Sequence, residues 1–149
     1  MGRLRASPEL TLVTDYLDRL TRTGRPLGLG PAFTTEVEDR KGGGMAVEGA
    51  LQLKAVPDGA VVCALDERGR QMSSPDLADR IAGWRDEGRP SAVFVIGGAD
   101  GLAQEVRDRA DMALSLGPMV WPHMLVRVML AEQLYRAATI LAGSPYHRA

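Results

Sequence analysis

Two stretches decide the fold: VFVIGGADG (residues 93–101) and LSLGPMVWPHMLVRVMLAEQLYRAATILAGSPYHR (residues 114–148). Each opens on a short apolar run and breaks into a loop that exposes backbone, a glycine turn in the first and Gly117-Pro118 in the second. The second stretch then continues into a segment long enough for several helical turns. Residues 60–65 (AVVCAL) repeat the opening pattern. Unbroken apolar runs of strand length, bounded by turn residues, are the mark of strands covered on both faces, as in parallel sheets.

The segments between these runs read as helices. Ser7-Pro8 looks like an N-cap with proline in the first turn, and Leu10, Val13, Leu17 and Leu20 recur at helical spacing, which predicts a helix over 8–21 that ends near Gly24. Further helices are expected over 45–55, from Ser74-Pro75 to Gly88 with Leu77, Ile81 and Trp84 on one stripe, over 102–111, and over 123–142. On the last of these Leu125, Val128, Ala131, Leu134, Tyr135, Ala138 and Leu141 form the expected apolar side. Strands are expected at 92–96 and 112–116, and a short half-buried one around Phe33, Thr35 and Val37. The loop Arg40-Lys41-Gly42-Gly43-Gly44 is a surface turn or a substrate-facing flap. Helices alternating with buried strands give an α/β fold with a largely parallel sheet. Ligands of such sheets bind beyond the carboxyl ends of the strands. Three loops leave those ends: Leu65-Asp66, residues 97–101 and residues 116–121.

At 149 residues one domain with one core is expected. No apolar run approaches the roughly 20 residues that span a bilayer, the first ten residues have no signal-peptide pattern, and Cys63 is the only cysteine. These point to a cytoplasmic protein with a reduced, buried thiol. The net charge of −1 argues against gripping bare nucleic acid by charge alone. Arginines outnumber acids at both ends, five to three over residues 1–25 and three to one over 123–149. If the ends meet, that distribution suits a polyanion docking on one face; otherwise it is ordinary solvated charge.

The familiar catalytic constellations are missing. Two histidines 24 residues apart and one cysteine make no zinc site, and there is no G-x-S-x-G elbow. Asp66-Glu67 and Asp86-Glu87 fall in turns or helix ends, where solvation accounts for them. The GGADG turn lets a ligand approach backbone amides, yet it is neither the dinucleotide fingerprint nor a Walker loop, and taken alone it fits a tight turn without a ligand better. A reaction here would rest on a reactive cofactor aligned with its substrate. On the long helix, Arg127, Glu132 and Arg136 read as a polar face, with Glu132 and Arg136 an i,i+4 pair. The tail Ser144-Pro145-Tyr146-His147-Arg148 brings together an aromatic that can stack on a base and two groups that can meet phosphate.

The segments VCALDERGRQMSSPDLADRI, FVIGGADGL, LSLGPMVWPHMLVRVMLAEQLYRA and SPYHR together resemble the RlmH (YbeA) family of SPOUT-class methyltransferases. That family methylates N3 of a pseudouridine in the large-subunit (23S) ribosomal RNA, and the likeness extends over nearly the whole chain. The resemblance implies a single SPOUT domain, an α/β fold with a C-terminal trefoil knot, a homodimer, no metal, and S-adenosylmethionine (SAM) as methyl donor. Carried over by position, cofactor contacts fall on Leu65, Gly97, Leu116, Gly117, Pro118, Met119, Val120 and Trp121. Tyr146, His147 and Arg148 match the family's terminal motif and are expected to position the nucleotide, with His147 as proton acceptor. Arg127 and Arg136 are expected to orient phosphate or brace the dimer. The implied substrate is the assembled ribosome, which suits a near-neutral protein. Family members usually open with an apolar strand ahead of the segment that here reads Gly2-Arg3-Leu4-Arg5-Ala6. That first strand is expected to be truncated here, through a start upstream of Met1 or a shortened sheet. Other readings left open are a SPOUT enzyme with a different RNA target and a non-catalytic nucleotide-binding module.

Overall fold

The computed structural model describes residues 7–37, 43–98 and 101–148. In chain order its elements are α1 (Pro8–Gly24), α2 (Met45–Lys54), β1 (Val61–Gln71), α3 (Ser74–Asp86), β2 (Ala92–Val95), α4 (Gln104–Arg109), β3 (Met112–Ser115) and α5 (His123–Ala142), with a 3-10 turn at Arg25–Leu27. They fall into two compact units, residues 35–71 with 89–123, and residues 7–34 with 72–88 and 124–148. The segment 1–6, where the truncated strand was expected, and residues 38–42 of the glycine loop lie outside the described residues.

The first unit holds a three-stranded parallel sheet in the order β2-β1-β3. Its centre follows from composition: Val61, Val62, Cys63 and Ala64 are all at most 1% exposed, so both faces of β1 are covered. Burial pushes the Cys63 thiol up to about 12, which leaves it protonated. Val62 and Ala64 pack with Val95, Leu102, Ala103 and Val106 into the core of this unit. Each valine buried there contributes about 1.5–3 kcal/mol relative to exposure. β2 was expected to be buried, yet Ala92 is exposed and only Val95 is fully covered, because among the described residues β2 pairs with β1 alone. α4 is shorter than expected: Leu102 and Ala103 enter the core before it, Ala103 in extended conformation, and Ala110 is extended after it.

The turn anticipated at residues 66–69 is real but does not end the strand. Leu65 and Arg70 both align with Leu114 of β3, so the four residues between them loop out before pairing resumes at Gln71 and Ser115. Asp66 makes that excursion rigid. Its Oδ1 accepts from Arg68 N–H at 3.0 Å, and its Oδ2 stands 3.0 Å from Arg107 Nε on α4, with the Asp66 side chain only 10% exposed. The Arg107 Nε–H is not aimed at the carboxylate, so this contact is an ion pair rather than an aligned hydrogen bond. Asp66 is therefore a structural carboxylate, not the solvated turn acid expected.

In the second unit the Ser7 hydroxyl accepts from Leu10 N–H at 3.1 Å and starts α1 as expected. α3 is capped one residue earlier than expected: Ser73 accepts from Asp76 N–H at 3.1 Å, and Ser74 lies inside the first turn. The Arg85 guanidinium donates to the Leu27 carbonyl at 3.0 Å, tying α3 to the turn after α1. The expected strand over Phe33, Thr35 and Val37 does not form. Residues 29–37 have no regular structure and Phe33 is 78% exposed. Pro31 brings no amide donor, and no strand among the described residues pairs there. α5 matches its expected bounds, but its buried face is Arg127, Leu130, Ala131, Ala137, Ala138 and Thr139, while Leu125 is exposed. Arg127, expected on a polar face, is thus a buried residue.

Candidate functional site

Parallel strands in register deliver their exits to one edge. Ala64 of β1 aligns with Val95 of β2 and with Ala113 of β3, so Leu65, Gly97 and Leu116 all leave the same side of the sheet. Between β2 and α4 the chain closes a glycine loop: Gly101 N–H donates to the Gly98 carbonyl at 3.0 Å. Gly97 permits this turn for steric reasons. A Cβ there would lie 2.5 Å from the Gly101 carbonyl carbon and 2.6 Å from its oxygen.

The β3 exit is held by Ser115. Its Oγ accepts from Gly117 N–H at 3.0 Å and donates to the Glu67 carbonyl at 3.0 Å or to the Gly117 carbonyl at 3.1 Å, joining this loop to the β1 excursion. Gly117 has φ 110°, a conformation that a side chain would strain. Beyond it Pro118, Met119, Val120 and Trp121 are exposed, Val120 by 82%. The edge therefore offers loop backbone next to the apolar side chains of Leu65, Leu116, Met119 and Val120. Among the described residues no group of three His, Cys, Asp or Glu could hold a metal ion.

The tail forms a second assembly, in the other unit. Gly143, at φ 72°, ends α5, and Ser144 N–H bonds back to the Thr139 carbonyl at 2.9 Å, which turns the tail onto the helix. There Glu132 is the hub. Its carboxylate accepts from the Tyr146 hydroxyl at 2.7 Å, from Arg136 Nη2 at 2.8 Å and Nε at 3.2 Å, and from Gln133 Nε2 at 3.0 Å. Gln133 in turn accepts from the Ser74 hydroxyl at 2.6 Å. The Tyr146 ring packs on Tyr135 with centroids 4.8 Å apart, and Arg136 lies over it at 4.9 Å. Burial, reinforced by Glu132, holds the Tyr146 phenol well above its usual range, so it stays a neutral donor. The hydrogen bond to Glu132 likewise raises Arg136 above its usual value. Arg136 Nη1 is 3.2 Å from His147 Nδ1. A guanidinium only donates, so Nδ1 is the acceptor in this contact. Arg148 is exposed.

A family model described as "predicted SPOUT methyltransferase" matches residues 1–147. The chain belongs to the SPOUT methyltransferase family. Related SPOUT chains carry the name "Ribosomal RNA large subunit methyltransferase H": those of Ruegeria pomeroyi and Dinoroseobacter shibae are each 68% identical, and one from Cereibacter sphaeroides is 69% identical. Each alignment covers 99% of this chain and 95% of the relative.

Within the first unit of this SPOUT chain, the expected cofactor residues Leu65, Gly97 and 116–121 gather at one sheet edge. Tyr146 and His147 are packed on α5, and Arg148 faces solvent. The expected Glu132–Arg136 pair forms, but sequence reading missed that Glu132 also holds the tail. It also missed Glu48 and Gln52 of α2, whose side chains bond to the backbone on either side of Gly97. Their i,i+4 spacing was the available signal, and nothing local marked a loop some 50 residues away as the partner.

Proposed function

We propose that this methyltransferase transfers a methyl group from SAM to N3 of a pseudouridine in the 23S RNA of the assembled ribosome, as a single knotted SPOUT domain in a cytoplasmic homodimer. The observation that carries the reading is the full-length identity of 68–69% to chains named as large-subunit ribosomal RNA methyltransferases, together with three strand exits at one sheet edge. The runner-up readings, another RNA target or a nucleotide-binding module, lack support of that kind.

When bound, SAM supplies an electrophilic methyl on a sulfonium. Leu65, Gly97, Leu116, Gly117, Pro118, Met119, Val120 and Trp121 would hold the cofactor, the glycines through exposed loop backbone and the apolar residues through their side chains. Tyr146, His147 and Arg148 position the nucleotide. Tyr146 orders the tail through Glu132, and exposed Arg148 is available to phosphate. His147 is the proton acceptor for N3. To take up the N3 proton it must free Nδ1 from Arg136, so proton acceptance is coupled to movement of the tail.

Removal of residues 145–149 tests this division of labour. SAM affinity should stay within about twofold of the full chain while methyl transfer to ribosomes falls by at least about a hundredfold. Transfer at the full rate would remove the tail from the mechanism.

A further inference from the structure

Two side chains of α2 flank Gly97. Gln52 Nε2 donates to the Ile96 carbonyl at 3.0 Å, and Glu48 Oε1 accepts from Gly98 N–H at 3.1 Å. The groups immediately before and after Gly97 are therefore each fixed by a side chain, and the two side chains are one helical turn apart. Gln52 is 7% exposed, and Glu48 is partly buried. α2 is itself seated closely, since a Cβ on Gly49 would run into the Ala103 methyl at the foot of α4. Leu53, on the same helix, packs against the core that includes Val95 and Ala103. The helix is thus anchored to the elements on both sides of the glycine loop. Glu48 supplies an acceptor to a glycine amide and Gln52 a donor to the preceding carbonyl, so the backbone is held on both sides of a residue with no side chain of its own.

We propose that Glu48 and Gln52 are positioning residues for the cofactor: α2 clamps the backbone around Gly97 in its binding conformation and sets SAM affinity without touching SAM. This rests on the reading that the Gly97 loop holds the cofactor. With the clamp intact the loop is pre-organised, and the cofactor does not have to order it. Without the clamp, the population of competent loop falls and apparent affinity falls in proportion.

The test is calorimetric SAM binding and steady-state transfer to ribosomes, with melting temperature measured in parallel, for the wild-type chain, Glu48→Ala, Glu48→Gln and Gln52→Met. Glu48→Ala removes the acceptor and should weaken SAM binding roughly ten- to hundredfold, raising KM for SAM with kcat retained. Glu48→Gln keeps a carbonyl acceptor at the same reach and should recover affinity to within about threefold of wild type. Gln52→Met keeps shape but loses the donor, and should raise KM for SAM in the manner of Glu48→Ala. A purely structural role predicts something else, a lower melting temperature and a smaller active fraction, so that kcat falls at constant KM. That pattern, or unchanged SAM affinity in Glu48→Ala, overturns the proposal. Failure of the wild-type chain to bind SAM would refute the cofactor reading itself, which keeps the two failures apart.

Discussion

Replacing Gly97 with alanine probes the cofactor loop where its geometry is least forgiving. The backbone at Gly97 does not require φ > 0, so the penalty is steric. The new methyl would stand 2.5 Å from the Gly101 carbonyl carbon, 2.6 Å from its oxygen and 2.9 Å from Leu102 N. Ordinary contacts of this kind are about 3.5–4.0 Å, so the two sides of the loop must part by about 1 Å. All three neighbours are backbone atoms, and no side chain can rotate out of the way. Parting them breaks the 3.0 Å bond from Gly101 N–H to the Gly98 carbonyl, and it pulls against Glu48 and Gln52. Overpacking of this severity costs about 1–3 kcal/mol. If the loop must close again to hold SAM, that cost appears as a loss in affinity of roughly 5- to 150-fold. If it is borne by the free protein, the melting temperature falls by about 2–12 °C. Titration calorimetry with SAM, alongside thermal unfolding, measures both. Wild-type affinity at an unchanged melting temperature would refute the steric argument and the placement of the cofactor against this loop.

Two further outcomes follow from named contacts. Glu132→Ala removes the acceptor of four hydrogen bonds and should cost about 2–4 kcal/mol in urea unfolding, with the tail becoming sensitive to protease; a protected tail at wild-type stability would dismiss Glu132 as the hub. Asp111 accepts from Val62 N–H at 2.8 Å, and that bond, with help from Arg109, holds its carboxyl below the ordinary range. Because the folded value is depressed, the stabilisation is complete above about pH 4 and is lost as pH falls through the folded value. Asp111→Ala should therefore destabilise by about 1 kcal/mol at neutral pH, discounted for its exposure, and by less in acid; an equal loss at both pH values would contradict the assignment.

Much of the fold could be read directly from the chain because its signals were local. Ser7-Pro8 announced α1, and the apolar runs around Val62, Phe94 and Ala113 announced the strands. The strand exits followed once the sheet was taken as parallel. The failures were of another kind. α5 carries apolar residues around its circumference, so periodicity could not choose its buried face, and Leu125 and Arg127 were exchanged. The alternation at Phe33, Thr35 and Val37 had the period of a strand, but no strand among the described residues pairs with it. Asp66 looked like a turn acid because its ion pair with Arg107 joins residues 41 positions apart. The same holds for Glu48 with Gly98 and Glu132 with Tyr146: only the folded chain brings them together.

The central claim is methyl transfer to one nucleotide of the large-subunit RNA. Its most direct test is incorporation of labelled methyl from SAM into assembled ribosomes prepared from a strain lacking the activity, set against free ribosomal RNA, with the modified position mapped. Label at N3 of a single pseudouridine, in assembled ribosomes and not in free RNA, is the predicted result. Label on another nucleotide would contradict the proposed target, and no label on either substrate would contradict the claim.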